Sequence, residues 1–369
     1  MRLLMILLIF ASLQRIVIVY FLSNTSRKGS VTMPDEVILE VRHLRTSFLQ
    51  GGSEMRAVDD MSYTVKKGEC VAIIGESGSG KSVSALSVLR LIPYPPGVIK
   101  GGEVIFKGRD LMKLSNAEME EIRGNEISMI FQEPSTALNP VIPIGKQIEE
   151  NILIHTDLSR KEAEQRTIDL LARLDIPSPE TRLKDYPFQF SGGMQQRAMI
   201  AMAMSCKPDL LIADEPTTAL DVTVQAQVLE QLNSLRAEFG TSLMIITHNL
   251  GIVARYADSV KIVYGGKIVE EGSVEQIFED PYHPYTIGLI SAVPRLDLPR
   301  SHGLHTIEGE PPDMSKIPPR SCAFAQRCSY CTEECRTHRP PLKQLGEGHA
   351  CACFHMDEAH RGAEEVLQA

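Results

Sequence analysis

The chain has 369 residues, of which 43% are hydrophobic and 23% are charged, and its formal net charge is −9. This composition is typical of a soluble globular protein, and the length allows one large or two modest domains with a buried core. The acidic balance disfavours a protein that mainly binds nucleic acid, because such proteins carry a basic surface.

The first 32 residues differ in composition from the rest of the chain. An apolar stretch at residues 3–13 follows Arg2, and a charged interruption separates it from a second apolar stretch at residues 16–22. Each stretch is too short to span a bilayer. A signal peptide has this outline, but no clear small-residue cleavage site follows. We expect Met33 to be the functional start and residues 1–32 an upstream extension, with a membrane-lying anchor as the alternative.

From residue 37 onward, short apolar runs alternate with segments of helical periodicity. Strands are predicted at residues 37–41, 57–65, 70–74, 102–108, 210–213, 242–247, 260–264 and 267–269. Helices are predicted at residues 81–91, 115–123, 159–174 and 222–239. The alternation predicts an α/β fold with a mainly parallel sheet.

Prolines accumulate after about residue 275, where we place a domain boundary. Residues 33–275 then form the main domain and residues 276–356 a C-terminal domain. Residues 357–369 are predicted to be a disordered tail.

A glycine-rich segment after the strand at residues 70–74 fits the P-loop pattern G-x-x-x-x-G-K-[ST]. Its residues are Gly75, Glu76, Ser77, Gly78, Ser79, Gly80, Lys81 and Ser82. The backbone N–H groups of such a loop surround phosphate oxygens, and the following helix adds the positive end of its dipole. Lys81 is expected to reach the β- and γ-phosphates and Ser82 to bind Mg²⁺. Because the loop follows an apolar strand and begins a helix, we predict an ATP and Mg²⁺ site.

A second part of the phosphate site is predicted at the end of the strand at residues 210–213. Asp214 and Glu215 follow that strand directly. Asp214 is expected to hold the magnesium shell. Glu215 is expected to act as the general base that activates the attacking water.

Residues 190–197 resemble the signature motif of ATP-binding-cassette (ABC) ATPases, with phenylalanine and methionine in place of the commoner leucine and glutamine. Ser191 and the amides of Gly192 and Gly193 begin a helix, where they form an anion site. In that family the site closes on the γ-phosphate held by the opposite subunit. The resemblance therefore implies a dimer in which each ATP lies between two chains.

Further motifs follow in the order of the same family. Gln132 resembles the Q-loop glutamine, residues 219–221 resemble the D-loop, and His248 resembles the switch histidine. Phe48 matches the position whose aromatic ring stacks on adenine. The resemblance implies catalytic roles for Gln132 and His248, a magnesium contact from Gln132, and nucleotide contacts from Phe48 and Asp221.

Four tracts narrow the resemblance to the ATPase subunits of oligopeptide and dipeptide (and nickel) importers. They are residues 131–140, 186–191, 283–286 and 309–312. The likeness covers about residues 35–356. It implies the P-loop NTPase fold of an ABC nucleotide-binding domain, with a mainly parallel core sheet, an antiparallel β subdomain, a helical subdomain and a small cysteine-rich C-terminal extension.

The resemblance also implies a function and its partners. The chain would hydrolyse ATP to power uptake of di- and oligopeptides, as a peripheral subunit at the cytoplasmic face of the inner membrane. Its partners would be a second ATPase subunit, identical or different, two permease subunits and an extracytoplasmic solute-binding protein. The alternatives are import of nickel or another small solute, or a soluble ABC ATPase with no transport role.

Six of the eight cysteines lie in the last 50 residues. Four thiolates can hold zinc or an iron–sulfur cluster, and free thiols in a structural tail are the third alternative. The spacing resembles the C-terminal cysteine segment of the peptide-importer ATPases, some of which carry a [4Fe–4S] cluster. The resemblance assigns Cys322, Cys328, Cys335 and Cys353 as cluster ligands, while Cys331 and Cys351 are additional.

Overall fold

The computed structural model describes residues 36–218, 220–293 and 306–368. The strands are β1 (Val37–Gln50), β2 (Ser53–Lys66), β3 (Cys70–Ile74), β4 (Gly97–Phe106), β5 (Arg109–Asp110), β6 (Ile127–Ile130), β7 (Leu210–Asp214), β8 (Ser242–Thr247), β9 (Ser259–Tyr264), β10 (Lys267–Ser273), β11 (Lys343–Gly346) and β12 (His349–Cys351). The predictions for residues 1–32 lie outside the described residues.

The helices alternate with these strands. They are α1 (Lys81–Val88), α2 (Asn116–Ile122), α3 (Pro134–Ala137), α4 (Ile144–His155), α5 (Arg160–Arg173), α6 (Pro179–Arg182), α7 (Gly192–Met204), α8 (Val222–Phe239), α9 (Leu250–Tyr256), α10 (Val274–Glu279), α11 (Pro284–Ser291), α12 (Glu333–Thr337) and α13 (Met356–Gln368). In the part of the chain that the structure describes, no helix combines the length and apolar character needed to cross a membrane.

The strands form two sheets, one mainly parallel and one antiparallel. The larger has the order β11-β12-β10-β9-β3-β8-β7-β6, and the smaller has the order β2-β1-β4-β5. In the larger sheet, β9, β3, β8, β7 and β6 run parallel to one another. The predicted α/β fold with an antiparallel β subdomain is confirmed. Because parallel strands end at the same edge, the loops after β3, β7 and β8 meet there.

The parallel strands are apolar because both of their faces are covered. Every residue of β3, β7 and β8 is buried. Ala72 and Ile74 of β3 belong to one hydrophobic cluster, whereas Val71 and Ile73 belong to the other. Since side chains alternate along a strand, β3 separates the helical side of the core from the side of the antiparallel sheet.

The C-terminal segment extends the larger sheet. Strand β12 pairs with β10, with Glu270 opposite Cys351. Glu270 is fully buried. Its carboxylate accepts hydrogen bonds from the backbone N–H groups of Tyr282 at 2.8 Å and His283 at 2.9 Å, and lies 3.0 Å from His349 Nε2. A buried carboxylate needs such partners. The boundary predicted near residue 275 therefore does not separate two sheets.

Of the tail predicted to be disordered at residues 357–369, the described residues 357–368 belong to helix α13. Ala359 and Ala363 lie one turn apart and pack in a small cluster with Ile287 of α11. The His360 ring stacks on Tyr282 with ring centroids 4.2 Å apart. The sequence prediction was wrong because this helix is stabilised by contacts with a distant part of the chain.

Candidate active site

The loop between β3 and α1 is held by close backbone approaches that only glycine allows. A Cβ on Gly75 would collide with the carbonyl oxygen of Val263, and a Cβ on Gly80 would collide with that of Ala57. Gly80 also has a φ of 102° and begins α1 without a side-chain cap. The first N–H groups of α1 are therefore free of a capping side chain, which is the arrangement that binds anions at a helix start.

The P-loop lysine lies inside the loop. Lys81 is 5% exposed, and its Nζ donates hydrogen bonds to Gly75 O at 2.7 Å and Glu76 O at 2.9 Å. Burial lowers the pKa of Lys81, an effect opposed by Glu215 and Asp214. Ser79 Oγ is buried and has no hydrogen-bond partner among the described residues. A cation and an unpartnered hydroxyl in one loop fit the oxygens of a bound phosphate.

Two of the three predicted magnesium ligands, Ser82 and Asp214, are in contact, and the third, Gln132, contacts Glu215 instead. Ser82 Oγ donates a hydrogen bond to Asp214 Oδ1 at 2.9 Å. Burial raises the pKa of Asp214, and the hydrogen bond from Ser82 opposes that rise. A hydroxyl and a carboxylate are hard oxygen ligands of the kind that Mg²⁺ takes at phosphate sites, with phosphates and waters completing its shell. The pair fits magnesium.

The predicted general base lies at the centre of a hydrogen-bond network. Glu215 Oε2 accepts hydrogen bonds from Thr218 Oγ1 at 2.7 Å and Gln132 Nε2 at 3.0 Å, and its Oε1 lies 3.3 Å from His248 Nδ1. Burial alone would raise the pKa of Glu215, but hydrogen bonds from Thr218 and His248 outweigh it and lower that pKa. The carboxylate is therefore ionised at neutral pH, as a proton acceptor must be.

Glu215 also has an unusual backbone conformation. Its φ is 46°, in the left-handed region that non-glycine residues seldom adopt. Its N–H donates a hydrogen bond of 2.8 Å to Ile246 O of β8. This backbone strain is held by the neighbouring strand, and such strain concentrates at functional sites.

Several of these groups line one cavity of about 420 Å³, whereas Gly75, Asp214 and His248 are not among its described lining residues. Its lining includes Phe48, residues 76–82, Gln132 and Glu215, all of which the sequence analysis assigns to the nucleotide site. It also includes residues that the sequence analysis does not assign, namely Met55, Ala57, Val83, Tyr264, Gly265 and residues 311–314. The only sequence signal for the last group is the family likeness of the tract at residues 309–312, which gives no position in space.

The signature residues lie elsewhere on the chain. The described lining of the cavity does not include Ser191, Gly192 or Gly193. Ser191 begins α7, and its Oγ accepts a hydrogen bond from the Met194 N–H at 3.3 Å. Ser191 and Gly192 are exposed, and no described atom lies within 4 Å of a Cβ built on Gly192. The chain therefore presents half of the predicted site in its cavity and the other half on a free surface.

Comparisons with known proteins show the family of the chain. The ABC transporter family model matches residues 58–218, and the model of the oligopeptide/dipeptide transporter C-terminal region matches residues 269–335. The oligopeptide transport ATP-binding protein OppD of Bacillus subtilis is 48% identical over 312 residues, which are 85% of this chain and 87% of that protein. The chain belongs to the ABC transporter ATP-binding proteins of the oligopeptide/dipeptide family.

Two further similarities support the assignment of the chain to this family of transporter ATPases. The dipeptide transport ATP-binding protein DppD of Bacillus subtilis is 46% identical over 323 residues, covering 88% of this chain and 96% of that protein. A dimeric post-hydrolysis structure of the ATP-binding cassette MJ0796, bound to ADP and phosphate, matches with a TM-score of 0.58 at 26% identity. It covers 64% of this chain and 98% of that one.

The D-loop of the transporter ATPase is described only in part, because Ala219 lies outside the described residues. Asp221 is exposed and caps the start of α8, where its Oδ1 accepts hydrogen bonds from the N–H groups of Thr223 at 3.1 Å and Val224 at 3.0 Å. Asp221 does not line the cavity in the described part of the chain. Its predicted nucleotide contact stays a prediction.

The four predicted cluster cysteines lie in one neighbourhood. Burial, together with the nearby Cys353, Cys322 and Cys335, raises the pKa of Cys328 to about 12. The backbone also joins them, since the Cys322 N–H donates a hydrogen bond of 2.8 Å to Cys335 O. Among the described residues, however, no group of three or more His, Cys, Asp or Glu side chains is arranged to hold a metal ion.

Cys351 and Cys331 are the two additional cysteines of this segment. Cys351 is buried, and its pKa is raised first by that burial and then by the charge of Glu270. Cys331 is partly exposed, and its Sγ lies 3.5 Å from Thr332 O. Cys353 and Cys322 also raise the pKa of Cys351, and burial together with Cys335 raises that of Cys331, so both thiols lie beside the predicted set. Which four of the six cysteines would act as ligands stays a prediction.

Proposed function

We propose that the chain hydrolyses ATP to power the import of di- and oligopeptides, as a peripheral subunit at the cytoplasmic face of the inner membrane. The observation that carries the ATPase activity is the Glu215 carboxylate, bonded by Thr218 and Gln132 at the P-loop cavity. The peptide cargo is supported by the names of the relatives OppD and DppD and by the match of the C-terminal region.

The chemistry follows from the positions of these side chains. Water attacks the γ-phosphorus, the bond to the β–γ bridging oxygen breaks, and the water proton passes to Glu215. Mg²⁺, held by Ser82 and Asp214, would neutralise charge on the phosphate oxygens. Lys81 binds the β- and γ-phosphates. Gln132 and His248, which contact the Glu215 carboxylate, orient it towards the water.

We infer that two ATPase subunits complete each site. Ser191 and Gly192 are exposed at the start of α7, where N–H groups and the helix dipole can bind an anion. In the described structure they do not line this chain's own nucleotide cavity, so the anion must come from another subunit. In a head-to-tail pair, each signature would face the γ-phosphate in the other subunit's P-loop. ATP then joins the two subunits, and hydrolysis releases them. The partner ATPase is either a second copy or a related chain.

An apolar groove beside Gln132 supports docking to a permease. The groove has a volume of about 390 Å³ and is lined by residues that include Leu91, Met129, Phe131 and Ile154. Phe131 is 37% exposed and Ile154 is 68% exposed. Because Phe131 directly precedes Gln132, a permease helix in this groove would sit one residue from a side chain that contacts Glu215.

Ile154→Glu tests the groove. The charge is expected to abolish co-purification with the permease subunits and peptide uptake, because apolar docking does not tolerate a buried carboxylate. ATP binding by the isolated chain should be unchanged, since Ile154 does not line the nucleotide cavity in the described structure. Glu164→Gln, an exposed change on α5, serves as the control. Normal uptake by Ile154→Glu would contradict docking at this groove.

We also propose that Cys322, Cys328, Cys335 and Cys353 hold a [4Fe–4S] cluster. Their proximity and their family-like spacing support the proposal. Ligation to iron would stabilise these groups as thiolates, the form that burial alone disfavours. A cluster would supply redox-active iron and join the parts of the C-terminal segment.

The expected result for the cysteines is iron and acid-labile sulfide in anaerobically purified protein. Cys328→Ser should lose most of the iron, whereas Cys331→Ser should keep it, because Cys331 lies outside the proposed set of four ligands. Iron analysis and visible absorbance measure this. Protein that contains zinc or no metal at all would show the cluster proposal to be wrong.

ATP-dependent uptake of labelled peptides tests the proposed function as a whole. A strain that lacks the chain should lose uptake of di- and oligopeptides and regain it with the intact gene. Restored uptake of nickel without any peptide uptake would replace the proposed cargo, and co-purification with no membrane protein would argue against a transport role.

A further inference from the structure

The nucleotide cavity has a wall that the ABC motifs do not account for. Its four residues are Pro311, Pro312, Asp313 and Met314. We call residues 311–314 the C-terminal wall. They line the same cavity as the P-loop and Phe48, yet they lie outside the ABC transporter match at residues 58–218 and inside the C-terminal region match at residues 269–335.

The C-terminal wall is ordered against the core. A Cβ built on Gly266, in the turn between β9 and β10, would lie 3.2 Å from Met314 Cε. Asp313 Oδ1 accepts hydrogen bonds from the Ser315 N–H at 3.0 Å and from Ser315 Oγ at 2.6 Å. The turn at residues 313–315 is therefore stabilised by hydrogen bonds from its own residues.

A single arginine joins the backbone just before this wall to the P-loop. Arg327 Nη1 donates a hydrogen bond to Glu76 Oε2 at 2.6 Å, and Nη2 donates one to Glu76 Oε1 at 3.1 Å. The same guanidinium donates to Glu308 O at 2.9 Å and to Ile307 O at 3.3 Å. The Arg327 side chain is only 6% exposed. One buried side chain therefore ties the second residue of the P-loop to the backbone just before the wall.

Glu76 is held by its backbone as well. Its N–H donates a hydrogen bond to the Tyr285 hydroxyl at 2.8 Å, and its carbonyl oxygen accepts one from Lys81 Nζ at 2.9 Å. Tyr285 packs edge-on against Tyr264, with ring centroids 4.6 Å apart. The C-terminal segment thus reaches Lys81 through one intermediate residue.

Arg327 and Glu76 form a bidentate ion pair, which is a strong type of side-chain interaction. Two parallel charge-assisted hydrogen bonds fix orientation as well as distance. Burial alone would lower the pKa of Arg327, but the hydrogen bonds to Glu76 and Tyr264 outweigh it and raise that pKa. Removing the arginine would leave the Glu76 carboxylate at the P-loop without its counter-charge.

We propose that the C-terminal wall and Arg327 are parts of the nucleotide site. The apolar surfaces of Pro311, Pro312 and Met314 suit the base and ribose of a purine nucleotide, since ligand pockets hold such groups between apolar side chains. Arg327 is a positioning residue, which fixes Glu76 and through it the phosphate-binding loop. The C-terminal segment therefore sets the affinity for ATP, independently of the cargo that the transporter carries.

Arg327→Met in the full chain tests the positioning role. Because a charge-assisted pair is lost, we expect the Kd for a fluorescent ATP analogue and the KM for ATP to rise roughly 10- to 100-fold. We expect kcat to be retained, since the lost interaction serves ground state and transition state alike. Arg320→Met, an exposed arginine of the same segment, should behave as wild type.

Met314→Ser tests the wall itself by comparing two ligands. ATP should bind about tenfold more weakly, whereas inorganic tripolyphosphate, which has no base or ribose, should bind as it does to wild type. An equal loss for both ligands, or no loss for either, would overturn the wall. Unchanged ATP affinity in Arg327→Met with a wild-type melting temperature would overturn the positioning role. If Arg327→Met does not fold, Arg327→Lys, which keeps the charge but loses the two parallel hydrogen bonds, tests the positioning role by the same affinity measurement.

Discussion

Replacing Glu215 by glutamine is expected to slow ATP hydrolysis roughly 10²- to 10⁴-fold while leaving ATP binding intact. Glutamine keeps the size of the side chain and an oxygen that can accept from Thr218 Oγ1 and Gln132 Nε2. It cannot take the proton of the attacking water. Since hydrolysis releases the two subunits, the variant should also accumulate as an ATP-bound dimer.

The measurement for Glu215→Gln pairs a phosphate-release assay with a titration of a fluorescent ATP analogue. Glu164→Gln, an exposed carboxylate on α5, is the matched control and should hydrolyse ATP normally. Hydrolysis at a near-normal rate by Glu215→Gln would reject its assignment as the general base. Loss of ATP binding would instead show that the side chain shapes the pocket.

Gly192→Asp is expected to reduce hydrolysis roughly 10²- to 10³-fold, because a preorganised anion site then carries a negative charge. The fold should tolerate the change. No described atom lies within 4 Å of a Cβ at this position, and aspartate is favourable in the first turn of a helix such as α7. The loss of hydrolysis must therefore come from weaker binding of the γ-phosphate that the other subunit holds.

For Gly192→Asp, ATP affinity of the isolated chain should equal that of wild type, while the ATP-dependent dimer seen by size-exclusion chromatography should be lost. Gly346→Asp is the control, because Gly346 is also exposed and also has no described atom within 4 Å of a Cβ. A Gly192→Asp variant that dimerises and hydrolyses ATP normally would exclude the signature from the site.

Much of the fold could be predicted because its core strands are visible in the sequence as short apolar runs. Strand β3 is an uninterrupted apolar run and β8 has an apolar centre, and the sequence predicts both with their observed bounds. Strand β1 is predicted to end at residue 41 but continues to Gln50. Its pairing with β2 shifts register after Val41, and His43 has a φ of 50°. A bulge breaks the alternation that identifies a strand.

The functional site likewise has parts that the sequence indicates and parts that it does not. The P-loop and Glu215 lie in compact motifs whose chemistry depends on adjacent residues, so the sequence alone indicates them. The contact between Arg327 and Glu76 joins residues 251 positions apart, and a hydrogen bond between such distant side chains has no local pattern. The C-terminal wall was missed for the same reason. The left-handed backbone of Glu215 is set by β8 and could not be predicted either.

ATP-driven peptide uptake by the assembled transporter tests the central claim most directly. In a strain lacking the chain, uptake of labelled di- and oligopeptides should be restored by the wild-type chain and by Glu164→Gln, but not by Glu215→Gln present at the same level in the membrane fraction. Peptide uptake at the wild-type rate with Glu215→Gln, or no dependence of uptake on the chain at all, would contradict ATP-powered peptide import.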